Sequence, residues 1–192
     1  MEKGPQARYI TAANAVSLLR IVLIPPILCL LLEGRIGIAF LTFMAAISTD
    51  LLDGYLARRY NQLSELGLLL DPLADKLIQI AVITTLAWIG YSAWIFALLL
   101  MVKEVITIII GAYIFLRYRK TIKANRVGKV ASFALNMAIA LSFFHPLMRE
   151  FFIPLDLIAL TGAMALTYLA MAIYMTGLVK DRKSASGAGA SR

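Results

Sequence analysis

Six long apolar runs separated by short polar breaks constrain this chain more than any single residue does. The runs lie at about 14–32, 36–59, 72–89, 93–116, 127–144 and 154–178. Each approaches the roughly 20 apolar residues that a helix needs to cross a bilayer. In hydrocarbon a segment must satisfy its own backbone amides, so runs of this kind become helices. With 61% hydrophobic residues, 16% charged residues and a mean hydropathy of +0.82, the 192 residues have room for little beyond these spans. The expected fold is therefore an all-α integral membrane protein with six transmembrane helices. One membrane domain covers 1–183, and the small polar tail at 184–192 is expected to be disordered.

The breaks carry turn chemistry: Glu33-Gly34-Arg35, Gly90-Tyr91-Ser92, and the stretch from His145-Pro146 to Pro154. Asp71-Pro72 reads as a helix start, with Asp as cap and Pro in the first turn. The single cysteine, Cys29, can form no intrachain disulfide. Trp88, Tyr91 and Trp94 sit at a span boundary, where interfacial aromatics collect.

Basic residues set the orientation. Of the 19 lysines and arginines, Lys3, Arg8, Arg58, Arg59, Arg117, Arg119, Lys120, Lys123, Arg126, Lys129, Lys180, Arg182, Lys183 and Arg192 fall in the terminal segments or in the second and fourth connections. With six spans all of these lie on one side. Both termini are therefore expected in the cytoplasm. Topology accounts for the charge, and no soluble domain exists to carry a nucleic-acid site.

Acids interrupt the grease in one place: Asp50-x2-Asp53-Gly54-x2-Ala57-Arg58-x8-Gly67-x3-Asp71-x3-Asp75. An aspartate at the centre of a membrane helix costs roughly 2.5–3.5 kcal/mol, so four of them need positive charge among them. Asp50, Asp53, Gly54, Ala57 and Arg58 share one helix face, and Asp71 and Asp75 share another. Carboxylates without Cys or His partners suit hard cations, Mg²⁺ or Mn²⁺ above zinc. Gly54 and Ala57 remove bulk beside them, and Arg58 offers a fork that matches phosphate. Together these residues describe a diphosphate site in which two metals would serve an in-line displacement. Taken singly, paired intramembrane acids also fit a cation or proton transporter, and small residues also fit close helix packing.

The whole spacing resembles the signature of the CDP-alcohol phosphatidyltransferases, and every fixed position of that signature is present. The similarity extends to Asn14-Ala-Val-Ser-Leu-Leu-Arg20 with Ile24-Pro25, to Lys103-Glu104, and to Asn125-Arg-Val-Gly-Lys129, covering about residues 10–180. The resemblance implies a six-helix homodimer in phospholipid biosynthesis. In it, Asp50, Asp53, Asp71 and Asp75 hold two divalent ions, with Asp75 also the catalytic base. It implies that Asn14, Ser17, Gly54, Ala57, Arg58, Ser64 and Gly67 bind CDP-diacylglycerol.

The implied reaction moves the phosphatidyl group to an acceptor hydroxyl and releases CMP. Within the family, the chain is most similar to members whose acceptor is sn-glycerol 3-phosphate. Lys103, Arg117, Arg126 and Lys129 are the candidates for holding that dianion. Lys103-Glu104 stands where Arg-Glu is expected, which keeps phosphatidylglycerol and an inositol phosphate open as acceptors. The basic 117–129 segment could equally serve topology or bind anionic headgroups.

Overall fold

A computed structural model describes the backbone of residues 12–60, 65–118, 126–150 and 154–189, and the side chains of 17–49, 73–110, 127–149 and 154–176. These residues form seven helices and no strand: α1 Ala12–Leu32, α2 Ile36–Tyr60, α3 Glu65–Trp88, α4 Trp94–Tyr118, α5 Arg126–Ser142, α6 His145–Glu150 and α7 Leu155–Gly189. Six of them correspond to the six apolar runs. The seventh, α6, is a short turn of helix in the last break, with Pro146 at its start, where the missing N–H costs nothing.

Two boundaries differ from the sequence reading. α3 begins at Glu65, so Asp71 and Pro72 lie inside the helix and do not cap its start. An Asp-Pro pair fits a cap well, but the helix can run through it by forgoing the one bond that Pro72 would have donated to the Leu68 carbonyl. α7 continues to Gly189, past the expected end at 178 and through much of the polar tail.

The breaks at one end close by the same device. Gly34 (φ 74°) and Gly90 (φ 79°) adopt the left-handed conformation just past α1 and α3. The Arg35 N–H reaches the Leu30 carbonyl at 2.9 Å, and the Tyr91 N–H reaches the Leu86 carbonyl at 2.8 Å. These are Schellman caps, which only glycine adopts without strain.

α1 packs against both α2 and α3, α4 against α3 and α7, and α5 against α7, α3 and α2. The core is apolar: Ile27 and Leu31 of α1, Phe43 of α2, Ile83 and Leu86 of α3, Leu100 of α4, Ile139 of α5 and Leu160 of α7. The outside is apolar as well. Val22, Leu41, Trp88, Leu98, Ile109, Val130 and Ile158 are all more than half exposed. A water-soluble monomer seldom exposes so many large apolar side chains. Among the described residues, Leu155–Thr176 is long and apolar enough to cross a membrane, and Ser17–Leu32, Ile36–Thr49 and Val127–Ser142 are shorter apolar stretches.

Candidate active site

Four links of sequence or side-chain contact fix how the helices are levelled against one another. Only residues 61–64 separate α2 from α3, so the two run in opposite directions from a shared end. Asp50 lies ten residues before Tyr60, and Asp75 ten residues after Glu65. At 1.5 Å per residue both sit about 15 Å from that end, with Asp53 and Asp71 about one turn nearer to it. Counted along the helices from that end, Asp50 and Asp75 fall at one level and Asp53 and Asp71 at another.

α1 joins through Arg20, whose Nε donates to the Ala46 carbonyl of α2 at 3.4 Å. In antiparallel helices that contact sets residue 16 level with Asp50 and residue 13 level with Asp53. Asn14 and Ser17 therefore belong to the same two levels. Ser17 is fully buried, as is Arg20, although both are polar or charged.

α5 joins through two rungs to α3. The Ser132 hydroxyl points its donor at Asp75 Oδ2 at 3.5 Å, a contact longer than an ordinary O–H···O bond. One turn further in, Gln79 Nε2 donates to Asn136 Oδ1 at 2.7 Å, with both side chains buried. Residues 75 and 79 pair with 132 and 136, so the helices run parallel with a fixed register. Lys129 shares the face of Ser132 and Asn136 one turn nearer the common end, which puts it at the level of Asp71. It is exposed.

α4 joins through charge. Lys76 Nζ donates to Glu104 Oε2, and Lys103 Nζ donates to Glu104 Oε1 at 2.5 Å. The Glu104 side chain is 3% exposed, Lys103 15% and Lys76 25%. Each carboxylate oxygen therefore has its own ammonium, as a buried acid requires. In this register Arg117 lies about 18 Å along α4 from the level of Asp75, toward the open end.

The site residues read from the sequence divide accordingly. Ser17, Asp75, Lys103 and Lys129 have described side chains. Asp50, Asp53, Gly54, Ala57 and Arg58 on α2, Gly67 and Asp71 on α3, Asn14 on α1, Arg117 on α4 and Arg126 at the start of α5 are placed by their helices, and their side chains lie outside the described residues. Ser64 lies outside the described backbone. Among the described side chains no three His, Cys, Asp or Glu gather, and Asp75 alone of the four aspartates is among them. Four aspartates on two neighbouring turns, with the sole histidine at the opposite end, are by residue type the donors that oxygen-seeking divalent cations prefer.

Sequence reasoning passed over Ser132, Gln79 and Asn136, and gave Lys76 and Glu104 no part in the site. The available signal was spacing. Ser132 and Asn136 are four apart in an otherwise apolar run and in step with Lys129, as Gln79 is with Asp75.

Comparison with known proteins agrees with the signature. The model of the family described as CDP-alcohol phosphatidyltransferase matches residues 10–179. A protein named "Probable phosphatidylglycerophosphate synthase" from Mycobacterium tuberculosis (strain CDC 1551 / Oshkosh) is 30% identical over 184 residues, covering 92% of this chain and 85% of its own length. A "Cardiolipin synthase (CMP-forming)" from Streptomyces coelicolor is 32% identical over 140 residues, covering 70% and 65%. The human "Cardiolipin synthase (CMP-forming)" is 36% identical over 110 residues, covering 57% and 36%. The chain belongs to the CDP-alcohol phosphatidyltransferase family. It is a phosphotransferase of phospholipid synthesis, acting on a CDP-alcohol.

Proposed function

We propose that the protein is a six-span membrane enzyme that transfers the phosphatidyl group of CDP-diacylglycerol to sn-glycerol 3-phosphate, with its acid site and both termini in the cytoplasm. The observation that carries this reading is the levelling of Asp50, Asp53, Asp71 and Asp75 with Ser17, Ser132 and Lys129 at one end of the helices. The phosphatidylglycerophosphate synthase relative aligns over nearly the whole chain, which favours glycerol 3-phosphate.

Mg²⁺ or Mn²⁺ ions held by the four aspartates would neutralise the diphosphate and the oxygens that attack and leave. The chain's own residues do the rest. Asp75, with one oxygen accepting from Ser132, takes the proton of the acceptor hydroxyl. The freed oxygen forms a bond to the phosphorus that carries diacylglycerol, the bond from that phosphorus to CMP breaks, and CMP leaves with the electron pair. Gly54, Ala57 and Gly67 let the CDP moiety approach backbone, and Arg58, Asn14, Ser17 and Ser64 bind it. Lys129, one turn outward of Asp75, suits the acceptor's phosphate better than Arg117, which lies much further along its helix. Arg126 supports Lys129, and the ammonium of Lys103 is already engaged by Glu104.

Phosphatidylglycerol is the second acceptor to consider, because cardiolipin synthases also stand among the relatives. Purified protein with CDP-diacylglycerol and Mg²⁺ or Mn²⁺ should release CMP when glycerol 3-phosphate is added. Phosphatidylglycerol and inositol 1-phosphate run in parallel name the acceptor. No CMP with any of the three overturns the enzyme reading.

A further inference from the structure

The Lys76–Glu104–Lys103 cluster has no part in the reaction as written, yet it sits immediately beside the acid site. Lys76 follows Asp75 in α3. The two side chains diverge, Asp75 toward Ser132 of α5 and Lys76 toward Glu104 of α4. Three formal charges share a space where Glu104 is almost fully buried, and they sum to a single positive charge. In so sheltered a place that charge is screened less than in open water, and a divalent cation held by Asp75, the neighbour of Lys76, would feel it.

We propose that this cluster sets the affinity of the acid site for its divalent cations. Glu104 is its positioning residue: it turns Lys76 away from Asp75 and holds the cluster at one positive charge. The inference rests on the reading of the four aspartates as the cation site. Losing Glu104 raises the cluster to two positive charges and frees a lysine beside Asp75, and both changes oppose cation binding. Losing Lys76 alone lowers it to zero and favours binding. Removing both restores the original charge.

The size follows from Coulomb's law. A unit charge about 10 Å from a divalent ion, at an effective dielectric of about 40, changes binding on the order of tenfold. The measurement is a Mn²⁺ binding isotherm on purified protein without substrate, read from the paramagnetic resonance signal of free aqueous Mn²⁺. Glu104→Gln should weaken binding about tenfold, Lys76→Met should tighten it several-fold, and Lys76→Met/Glu104→Gln should return close to the wild type. Should Glu104→Gln fail to fold, Lys76→Met and the double variant carry the same comparison.

Wild-type-like binding in Lys76→Met, or effects that do not follow the cluster's charge, overturns the proposal. Asp50→Asn separates it from the underlying reading, since it should abolish binding whatever the cluster does. If the wild type binds no Mn²⁺, or Asp50→Asn binds it equally well, the cation site is wrong and this inference goes with it.

Discussion

Replacing Asn136 with leucine tests whether the α3–α5 register, on which the levelling of Asp75, Ser132 and Lys129 depends, is specified by the buried amide pair. Gln79 and Asn136 are 1% and 6% exposed, and their contact is 2.7 Å. Asn136→Leu keeps the branched shape of the side chain at somewhat greater volume and leaves the Gln79 amide buried without that acceptor. A stranded group of this kind costs about 1–3 kcal/mol. Polar contacts between membrane helices average nearer 0.6 kcal/mol, because the separated helices also find partners. A loss of about 1 kcal/mol is therefore expected from either Asn136→Leu or Gln79→Leu, or about 2–4 °C in melting temperature. The double variant strands nothing and should recover much of that loss, with a coupling of about 0.5–1 kcal/mol. Unfolding of the purified protein in detergent, monitored for the wild type, both singles and the double, gives the cycle. Simple additivity, with coupling under about 0.3 kcal/mol, would mean that the rung does not specify the pairing. Turnover supplies a second readout: the double variant should remain stable yet turn over several-fold more slowly, because nothing then fixes Ser132 opposite Asp75.

Asp75→Asn should lower kcat by about 10²–10⁴-fold while CDP-diacylglycerol still binds, and full turnover would remove Asp75 from proton transfer. Ser132→Ala removes only a long contact, so kcat should fall no more than about tenfold with KM for CDP-diacylglycerol unchanged. Lys129→Ala should raise KM for a phosphorylated acceptor by about tenfold, and an unchanged KM would return the basic segment to a purely topological role. His145→Ala deprives Asp156 of its partner at 2.5 Å while Asp156 Oδ1 already lacks one, so stability should fall by roughly 1–3 kcal/mol. Because the pair lies at the end opposite Asp75, kcat measured at a temperature where the variant is folded should not change.

The existence of the six long helices was legible because apolar runs and the turn glycines Gly34 and Gly90 are local signals, whereas the short α6 and the continuation of α7 to Gly189 were not. Nor was the start of α3. Asp71-Pro72 offers good capping chemistry, and nothing local reveals that the helix already runs from Glu65. The aspartates stand out as a candidate site because their cost inside an apolar chain is large and their spacing falls on helix faces. Their supporting groups stand out far less. Ser132 with Asp75, and Gln79 with Asn136, are pairs 57 residues apart, and only tertiary packing makes them neighbours. Lys103 and Glu104 are adjacent in sequence, but Glu104 is also shared with Lys76, 28 residues away, which only packing reveals.

The sidedness of the polar contacts also bears on whether these acids could belong to a transport path. Moving from Asp75 toward the far end, the interhelical contacts change from ionic to amide to aromatic. Phe40 meets Phe143 and Phe144 edge-on at centroid distances of 5.9 and 4.8 Å, and Phe43 stacks on Phe143 at 5.4 Å. Ile27, Leu31, Ile83 and Leu86 fill the same depth. Beyond that layer the next ionisable pair is His145–Asp156 at the rim. A cation or proton crossing the protein would need polar groups or water at hydrogen-bonding intervals through this layer. The described residues there offer no acidic or basic side chain, only a few hydroxyls such as that of Thr84 and those of Thr85 and Ser142, the latter two donating to carbonyls of their own helices. A transferase needs no such continuity. In the proposed reaction the lipid donor would reach the acids from the bilayer and the acceptor from the adjoining water, so a polar end closed off by an aromatic floor suits that chemistry.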